Sequence, residues 1–289
     1  MLTSFDERGN LAIGKLKEFV RFLVKSGVHG LFPCSTLGEF SSLTVAERKE
    51  IIKVTIEETK GEVSVIPGTG STSLEVTMEL TRFAHEAGAD GVIIAVPFYL
   101  KADQEGLRAY YGRVAESVQI PVLLYNIPQE TGAEAVISAE LAINLDKSYS
   151  NIVGIKDSTG NFSRLMRIQR KTSKNFLVYQ GLDSLLLPSL ILGCAGGMVA
   201  SGNLWPEVTV GIYTQFGEGH WSQCSQLQLN KINPLINACN KHGTFPAGFK
   251  AALELRGFAI GPPRLPINSL DKQGRSSLKE DLSMCGFPD

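Results

Sequence analysis

Short apolar runs alternate with amphipathic stretches of helix length from residue 11 to residue 201. The runs are largely apolar on both faces, which is typical of parallel strands covered by helices. This alternation favours an α/β fold built from strand–helix units. The predicted strands are 30–34, 64–69, 91–97, 121–126, 152–156, 176–180 and 196–201, and the predicted helices are 11–26, 44–59, 72–87, 103–117, 138–147 and 161–173.

Two α/β architectures fit the alternation: a closed (β/α)8 TIM barrel and a doubly wound open sheet. The open sheet usually has a GxGxxG turn after its first strand, whereas Gly68-Thr-Gly70 is followed by Ser-Thr-Ser and comes too late in the chain. A length of 289 residues is normal for one α/β barrel. We therefore predict a TIM barrel whose first strand, at residues 1–5, is short or truncated.

The strand–helix alternation stops after residue 203. The remaining chain has helical patterns with loops at 242–246 and 261–270. This change predicts a barrel catalytic domain over residues 1–205 and a C-terminal helical extension, packed on the barrel, over residues 206–289.

The composition argues against several classes of function. The formal net charge is −1 and no basic block occurs, so neither nucleic acid nor an acidic membrane surface is a predicted partner. No apolar stretch is long enough to span a bilayer, and the first residues have no apolar signal core. The five cysteines are odd in number, widely spaced and without a CxxC pair, which favours reduced buried thiols and a cytoplasmic location.

In a TIM barrel, catalytic groups lie at the C-terminal ends of the strands. None of the four histidines falls at a predicted strand end, so a Ser–His–Asp triad is disfavoured. No HExxH or similar metal-ligand spacing occurs, and we predict no metal site. What remains at the strand ends is a set of hydroxyls, phenols, one amine and carboxylates, among them Ser35, Thr36, Tyr99, Tyr125, Lys156, Asp183 and Ser201.

Lys156 ends an apolar run, although lysine is among the residues least often buried. It is either a solvated strand end or an amine kept in an apolar pocket for chemistry. An apolar setting disfavours the ammonium form, and a neutral amine can attack a keto group to form a Schiff base that serves as an electron sink. Tyr125 could shuttle the proton and Thr36 could link two phenols, although a rim tyrosine with a satisfied hydroxyl is the simpler alternative for Tyr125.

Six motifs occur together along the chain: Ser35-Thr-Leu-Gly-Glu39, Gly68-Thr-Gly70, Ala87-Gly-Ala-Asp-Gly91, Pro97-Phe-Tyr99, Tyr125-Asn-Ile-Pro128 and Gly154-Ile-Lys-Asp157. In this combination the chain resembles the dihydrodipicolinate synthase/N-acetylneuraminate lyase family of pyruvate-dependent class I aldolases over nearly its whole length. The resemblance implies that Lys156 forms a Schiff base with pyruvate, with no metal or other cofactor. It implies that Tyr125 is the general acid/base and that Thr36 belongs to the carboxylate-binding and proton-relay loop.

The resemblance also implies an assembly and further substrate contacts. Tyr99 matches a tyrosine that reaches into a neighbouring subunit's site, in a homotetramer built as a dimer of dimers. Small molecules, namely pyruvate and a sugar-derived aldehyde, are the implied binding partners. The residues at matching substrate-binding positions are Ser35, Leu37, Gly181, Asp183, Ser201, Ser158 and Glu130.

Two positions depart from the family pattern and bear on the substrate. Leu37 has no hydroxyl, so the carboxylate of pyruvate would rely more on backbone N–H groups and on Thr36. Glu130 stands where synthases acting on aspartate semialdehyde carry an arginine for the substrate's carboxylate. A negative charge there would repel that substrate, which disfavours dihydrodipicolinate synthesis.

The segments at 30–32, 38–41 and 200–203 are most similar to those of 2-keto-3-deoxy sugar acid aldolases. We therefore predict cleavage of 2-keto-3-deoxygluconate to pyruvate and glyceraldehyde. Ala102 stands where members that accept the phosphorylated sugar have an arginine, which favours the non-phosphorylated substrate. The alternatives are an N-acetylneuraminate lyase-like enzyme, a 4-hydroxy-2-oxo acid aldolase, a dihydrodipicolinate synthase, a catalytically silent member that binds pyruvate or a sugar acid, and an unrelated phosphate-binding barrel.

Overall fold

The structure, a computed structural model, describes residues 1–99, 101–132 and 136–288. Its strands are β1 Gly30–Leu31, β2 Ser64–Val65, β3 Val92–Ala95, β4 Val122–Asn126, β5 Ile152–Asp157, β6 Leu177–Gln180 and β7 Gly196–Gly197. Its α-helices are α1 Ile13–Lys25, α2 Val45–Thr59, α3 Leu74–Glu86, α4 Gln104–Ser117, α5 Pro128–Thr131, α6 Ala139–Ser148, α7 Phe162–Lys171, α8 Leu186–Ile191, α9 Ser201–Leu204, α10 Pro206–Gly217, α11 Trp221–Leu227, α12 Asn233–Lys241, α13 Ala247–Leu255 and α14 Lys272–Met284.

The chain divides into two compact units, Ser64–Met198 and the combination of Met1–Val63 with Val199–Asp289. The first of these, here called the sheet unit, contains five parallel strands in the order β3-β4-β5-β6-β7. All residues of β3 and β4 are buried, as expected for strands covered on both faces. Tyr125 of β4 lies opposite Lys156 of β5 in the register, and Asn126 lies opposite Asp157.

Polar side chains start the helices of the sheet unit. Ser73, Asp103, Ser138 and Asn161 each occupy the N-cap of a helix, and each accepts a hydrogen bond from the backbone N–H three residues later. These caps satisfy N–H groups that have no partner inside the helix. The chain therefore enters each of these four helices at a defined residue.

The second unit, here called the terminal unit, is mainly helical. Thr44 and Glu47 form the predicted capping box at the start of α2. Phe5 makes an isolated bridge with Leu11, and its N–H donates to the carbonyl of Ile260 at 3.1 Å. Residues 1–5 therefore form no strand beyond this bridge, in agreement with the short first strand that the sequence predicts.

The predicted strands and helices up to residue 201 are confirmed in position, although several strands are shorter than predicted. The segments at residues 30–34 and 64–69 keep only their first two residues as strand, because each continues into proline and turn residues. The single-turn helices α5 and α9 were not predicted, since four residues show no helical periodicity. The predicted domain boundary at residue 205 stays a prediction.

Candidate active site

Lys156 and Tyr125 form the chemical centre of the sheet unit. Their registered positions on β5 and β4 bring Lys156 Nζ to 3.0 Å from the Tyr125 hydroxyl, to which it donates a hydrogen bond. The ammonium position also lies 4.2 Å from the centre of the Tyr125 ring. Lys156 is 6% exposed and Tyr125 is 3% exposed. The solvated strand end is therefore excluded, because the amine is buried and lies beside a phenol. The chemical role of the amine stays a prediction.

Gly181 and Ser158 line the Lys156 side chain. A Cβ atom added at Gly181 would meet the Ser158 hydroxyl and would lie 2.9 Å from Lys156 Cε, so only glycine fits there without displacing the lysine. Ser158 is buried, and its Oγ has no hydrogen-bond partner within the described part of the chain. A buried hydroxyl without a partner is costly unless a ligand or water completes it. The structure thus brings together three predicted residues, Lys156, Ser158 and Gly181.

Asp157 and its neighbours are site features that the sequence did not single out. The Asp157 carboxylate is fully buried and accepts hydrogen bonds from Asn126 Nδ2 at 3.0 Å and Arg164 Nε at 2.9 Å. It also accepts from the N–H and hydroxyl of Thr159. The only available signal was the acidic residue directly after Lys156, and its partners lie too far along the sequence to be paired by spacing.

The predicted Ser35–Glu39 loop belongs to the terminal unit, where it forms a tight turn. The Gly38 N–H donates to Ser35 Oγ at 3.2 Å, and the Thr3 hydroxyl donates to the Gly38 carbonyl at 2.7 Å. Leu37 is buried and Thr36 is half-buried. Glu39 has a left-handed backbone with φ of 58°, which a non-glycine residue adopts only where its surroundings hold it. The loop is therefore a fixed element rather than a mobile one.

Cys34, next to this loop, is not a candidate nucleophile. It is 2% exposed, and burial raises the pKa of its thiol to about 11. The thiol therefore stays protonated at neutral pH, and a thiol is a poor nucleophile in that form.

The other predicted site residues lie in contrasting surroundings. Tyr99 is 93% exposed and has φ of 76°, so its ring projects from a strained backbone into solvent. Glu130 is exposed on α5, two residues after the proline that starts this helix. Asp183 is buried at the start of a 3-10 turn, and Ser201 is buried at the start of α9, where its hydroxyl accepts from Thr209 at 3.0 Å.

Among the residues that the structure describes, no three histidine, cysteine, aspartate or glutamate side chains are grouped so that they could hold a metal ion. Over the same residues, no helix combines the length and the apolar character that crossing a membrane requires.

Comparison with known proteins places the chain in a family. The sequence profile of the Dihydrodipicolinate synthetase family matches residues 1–285. A 4-hydroxy-tetrahydrodipicolinate synthase of Methanopyrus kandleri is 36% identical over 272 residues, which cover 94% of this chain and 89% of the relative. An uncharacterized DapA-like lyase of Halobacterium salinarum is 37% identical over 288 residues, 99% of this chain and 92% of the relative.

Solved structures agree with the sequence comparison. Dihydrodipicolinate synthase from Bacillus anthracis superimposes with a TM-score of 0.94 at 29% identity, covering 100% of this chain and 97% of the other. YagE, a prophage protein of the dihydrodipicolinic acid synthase family from E. coli K12 solved with pyruvate, gives a TM-score of 0.92 at 32% identity, with 99% and 96% coverage. The predicted fold class, a TIM barrel with a C-terminal helical part, is confirmed by these neighbours.

Schiff-base chemistry requires an amine nucleophile and a neighbouring acid/base group, and a buried amine–phenol pair at two parallel strand ends supplies both. The family match spans residues 1–285, and the members of this family are lyases that join their substrate to a lysine as a Schiff base without a metal. The chain belongs to the dihydrodipicolinate synthetase family, the pyruvate-dependent class I aldolases.

Proposed function

We propose that this enzyme is an aldolase that reversibly cleaves 2-keto-3-deoxygluconate to pyruvate and glyceraldehyde, with Lys156 as the Schiff-base lysine. The observation that carries the proposal is the 3.0 Å hydrogen bond between Lys156 Nζ and the Tyr125 hydroxyl in a buried setting. A class I aldolase needs a nucleophilic amine and an acid/base group within one hydrogen bond of the same substrate atoms. This pair meets both needs.

The proposed reaction starts at the amine. Lys156 attacks C2 of the keto acid, and water leaves as the protonated imine forms. The imine draws the electron pair of the C3–C4 bond as that bond breaks, while the C4 hydroxyl gives its proton to Tyr125 and becomes the aldehyde. The enamine that remains takes a proton at C3, and hydrolysis of the imine releases pyruvate and restores the amine.

Tyr125 is proposed as the acid/base because its hydroxyl already contacts the amine. It can pass a proton to the departing hydroxyl when the imine forms and accept one when the C3–C4 bond breaks. Thr36 is proposed to relay this proton and, with Ser35 and Leu37, to form the loop that holds the carboxylate of pyruvate. The rigid turn of that loop supports the proposal, because a fixed anion site loses little entropy on binding.

Polar residues are proposed to contact the hydroxyls of the sugar acid. Ser158 has the strongest support, since its buried Oγ has no partner among the described residues and lies beside Lys156, where only a glycine at position 181 leaves it room. Asp183 and Ser201 are proposed for the same role, supported by the burial of both side chains. Buried donors and acceptors of this kind recognise hydroxyl-rich substrates. A substrate that lacks the matching hydroxyl leaves them without a hydrogen-bond partner and is therefore rejected.

Dihydrodipicolinate synthesis is the second candidate, because several relatives carry the name 4-hydroxy-tetrahydrodipicolinate synthase. That reaction adds pyruvate to aspartate semialdehyde, whose carboxylate needs a cationic partner. Glu130 places a negative charge at the position of that partner, and we therefore propose the sugar acid rather than the amino-aldehyde.

A substrate panel with the purified enzyme tests this choice. Pyruvate release is measured from 2-keto-3-deoxygluconate, its 6-phosphate and N-acetylneuraminate, and condensation is measured from pyruvate with aspartate semialdehyde. We expect the fastest turnover with 2-keto-3-deoxygluconate. The matched variant is Glu130→Gln, which removes the charge at nearly constant size and should speed the condensation of aspartate semialdehyde, because the charge that repels its carboxylate is gone. Faster condensation of aspartate semialdehyde by the unchanged enzyme would contradict the proposal.

Two further proposals concern the oligomeric state of the enzyme and its location in the cell. We propose a homotetramer built as a dimer of dimers in which Tyr99 enters the neighbouring subunit's site. Its 93% exposure and strained φ of 76° support this, because an isolated subunit gains nothing from either. A cytoplasmic location is supported by five buried cysteines that are all free thiols. Sedimentation of the enzyme tests the assembly, and a monomer would contradict it.

A further inference from the structure

The end of the β4–β5 strand pair carries two side-chain pairs at successive register positions. Tyr125 and Lys156 form one pair, and Asn126 and Asp157 form the next. Successive side chains of a strand point to opposite faces of the sheet. The Asn126–Asp157 pair therefore lies on the face of β4–β5 that is turned away from the amine and the phenol.

Asp157 uses nearly all of its hydrogen-bonding capacity. One carboxylate oxygen accepts from the N–H and the hydroxyl of Thr159, and the other accepts from Asn126 Nδ2 and Arg164 Nε. All four partners are donors, and only an ionised carboxylate accepts four bonds without presenting a donor of its own. The side chain is fully buried, so its charge requires the Arg164 guanidinium beside it.

Arg164 and Asn126 also share a second target, the backbone of Ile137. Arg164 Nη2 donates to the Ile137 carbonyl, and Asn126 Oδ1 accepts from the Ile137 N–H at 3.0 Å. Arg164 lies in the first turn of α7, which is capped by Asn161. One cluster thus joins the ends of β4 and β5, the start of α7 and the segment that precedes α6.

We propose that Asp157 and Arg164 are positioning residues, which hold the ends of β4 and β5 so that Lys156 Nζ stays in hydrogen-bonding distance of the Tyr125 hydroxyl. The inference rests on the proposed function, because this distance affects turnover only if Lys156 forms the Schiff base. Neither residue takes part in a proton transfer or contacts the substrate. Asp157 acts through Lys156, its neighbour on β5, and through its bond to Asn126 at the end of β4. Arg164, on α7, acts through its bond to Asp157.

The test compares Arg164→Met with Ile168→Ala. Both positions are on α7, and Ile168 is fully buried, so its truncation destabilises the same helix without removing a hydrogen bond of the Asp157 cluster. Two rates are measured on Lys156 below the melting temperature of each variant. One is trapping of the pyruvate adduct by borohydride, and the other is acetylation by an N-hydroxysuccinimide ester, located by peptide mass spectrometry.

For Arg164→Met we expect pyruvate trapping to slow by about 10²-fold, the effect of misplacing a reacting group by about 1 Å. Acetylation of Lys156 should become faster, because the strand ends that cover the amine separate. Opposite changes in the two rates distinguish misplacement from general destabilisation. Ile168→Ala should keep the unchanged enzyme's value for both rates.

Two conservative variants keep the test decisive if Arg164→Met does not fold. Arg164→Lys retains the charge but can reach only one of the two partners, so it should fall between the unchanged enzyme and Arg164→Met. Asp157→Asn places an amide N–H group against Asn126 Nδ2 and should also slow trapping.

The inference would be overturned if Arg164→Lys and Asp157→Asn trapped pyruvate as fast as the unchanged enzyme. It would also be overturned if Ile168→Ala slowed trapping as much as Arg164→Met does. The acetylation measurement needs no keto acid. If the unchanged enzyme forms no pyruvate adduct, the proposed function fails, while the acetylation rates still decide whether the cluster positions Lys156.

Discussion

Two lysines are buried in the part of the chain that the structure describes, and each has a different kind of side-chain partner. Lys156, in the sheet unit, donates to the hydroxyl of Tyr125. Lys250, in the terminal unit, is 2% exposed and forms an ion pair with Glu39 at 2.7 Å. It also donates to the carbonyl of Pro262 and lies over the ring of Phe5.

Under the proposed function, burial alone does not make a lysine reactive, because only one of these two buried lysines forms the Schiff base. Burial lowers the pKa of Lys250, and the charge of Glu39 acts in the opposite direction. A carboxylate at contact distance favours the ammonium, which has no lone pair with which to attack a carbonyl. The hydroxyl of Tyr125 can exchange a proton with the amine that it contacts, as Schiff-base formation requires.

The largest expected effect comes from removing each amine in turn. Lys156→Met should lower cleavage of the keto acid by at least about 10⁴-fold, as expected when a covalent nucleophile is lost. Lys250→Met should retain Schiff-base turnover, because that amine serves an ion pair. Steady-state kinetics on both variants checks this, and comparable losses would remove the distinction between the two lysines.

Replacing Tyr125, the hydrogen-bond partner of Lys156, should give the next largest effect on turnover. Tyr125→Phe should slow cleavage by about 10²–10⁴-fold, because the acid/base hydroxyl is lost while the ring stays. The matched control is Tyr111→Phe, which removes another buried hydroxyl of the same unit, one that donates to the Ile94 carbonyl. Single-turnover rates should fall in Tyr125→Phe alone, and an unchanged rate there would remove the acid/base role.

Removing either member of the Lys250–Glu39 ion pair should affect stability rather than turnover. Lys250→Met or Glu39→Gln should each lower the free energy of unfolding by about 3–5 kcal/mol, since one charge of a buried pair is left alone. The double variant should lose less than the sum of the two single variants. Urea denaturation measures all three, and additive losses would show that the two side chains do not depend on each other.

The smallest effect concerns acid stability around the same ion pair. Arg264, whose N–H donates to Glu39, also hydrogen-bonds Glu47 and lowers the pKa of that carboxyl from 4.5 to about 2. The unfolded chain therefore binds the proton first, and this stabilisation is complete above about pH 4.5 and is lost as the pH falls towards 2.

Glu47→Gln should flatten the pH dependence of stability in that acidic window. Glu57→Gln, on the same helix α2, removes an exposed carboxyl with a looser contact to Lys53 and is the matched control. Thermal melting between pH 2 and pH 5 measures both variants. Equal slopes in Glu47→Gln and the unchanged protein would show that the pair contributes no pH-dependent stability.

Local patterns allowed much of the fold and the central pair to be predicted from the sequence. The strand that ends in Lys156 and the one that contains Tyr125 were visible as apolar runs, and parallel strands place such ends together. The capping box at Thr44 was visible because its two partners are three residues apart.

The contacts that hold these parts in place could not be predicted in the same way. Arg264 and Glu39 are 225 residues apart, and no local pattern joins them. Whether Asp157 meets Asn126 depends on strand register, which a single sequence does not specify for two runs that are apolar on both faces. Spacing therefore revealed the reactive groups, whereas only the structure revealed the residues that position them.

The most direct test of the account is to locate the pyruvate adduct among the lysines of the chain. The unchanged enzyme is incubated with pyruvate and borohydride, digested, and analysed by peptide mass spectrometry. The account predicts a reduced pyruvyl adduct on Lys156, beside its phenol, and none on Lys250, beside its carboxylate. An adduct on Lys250, or no adduct on Lys156, would contradict it.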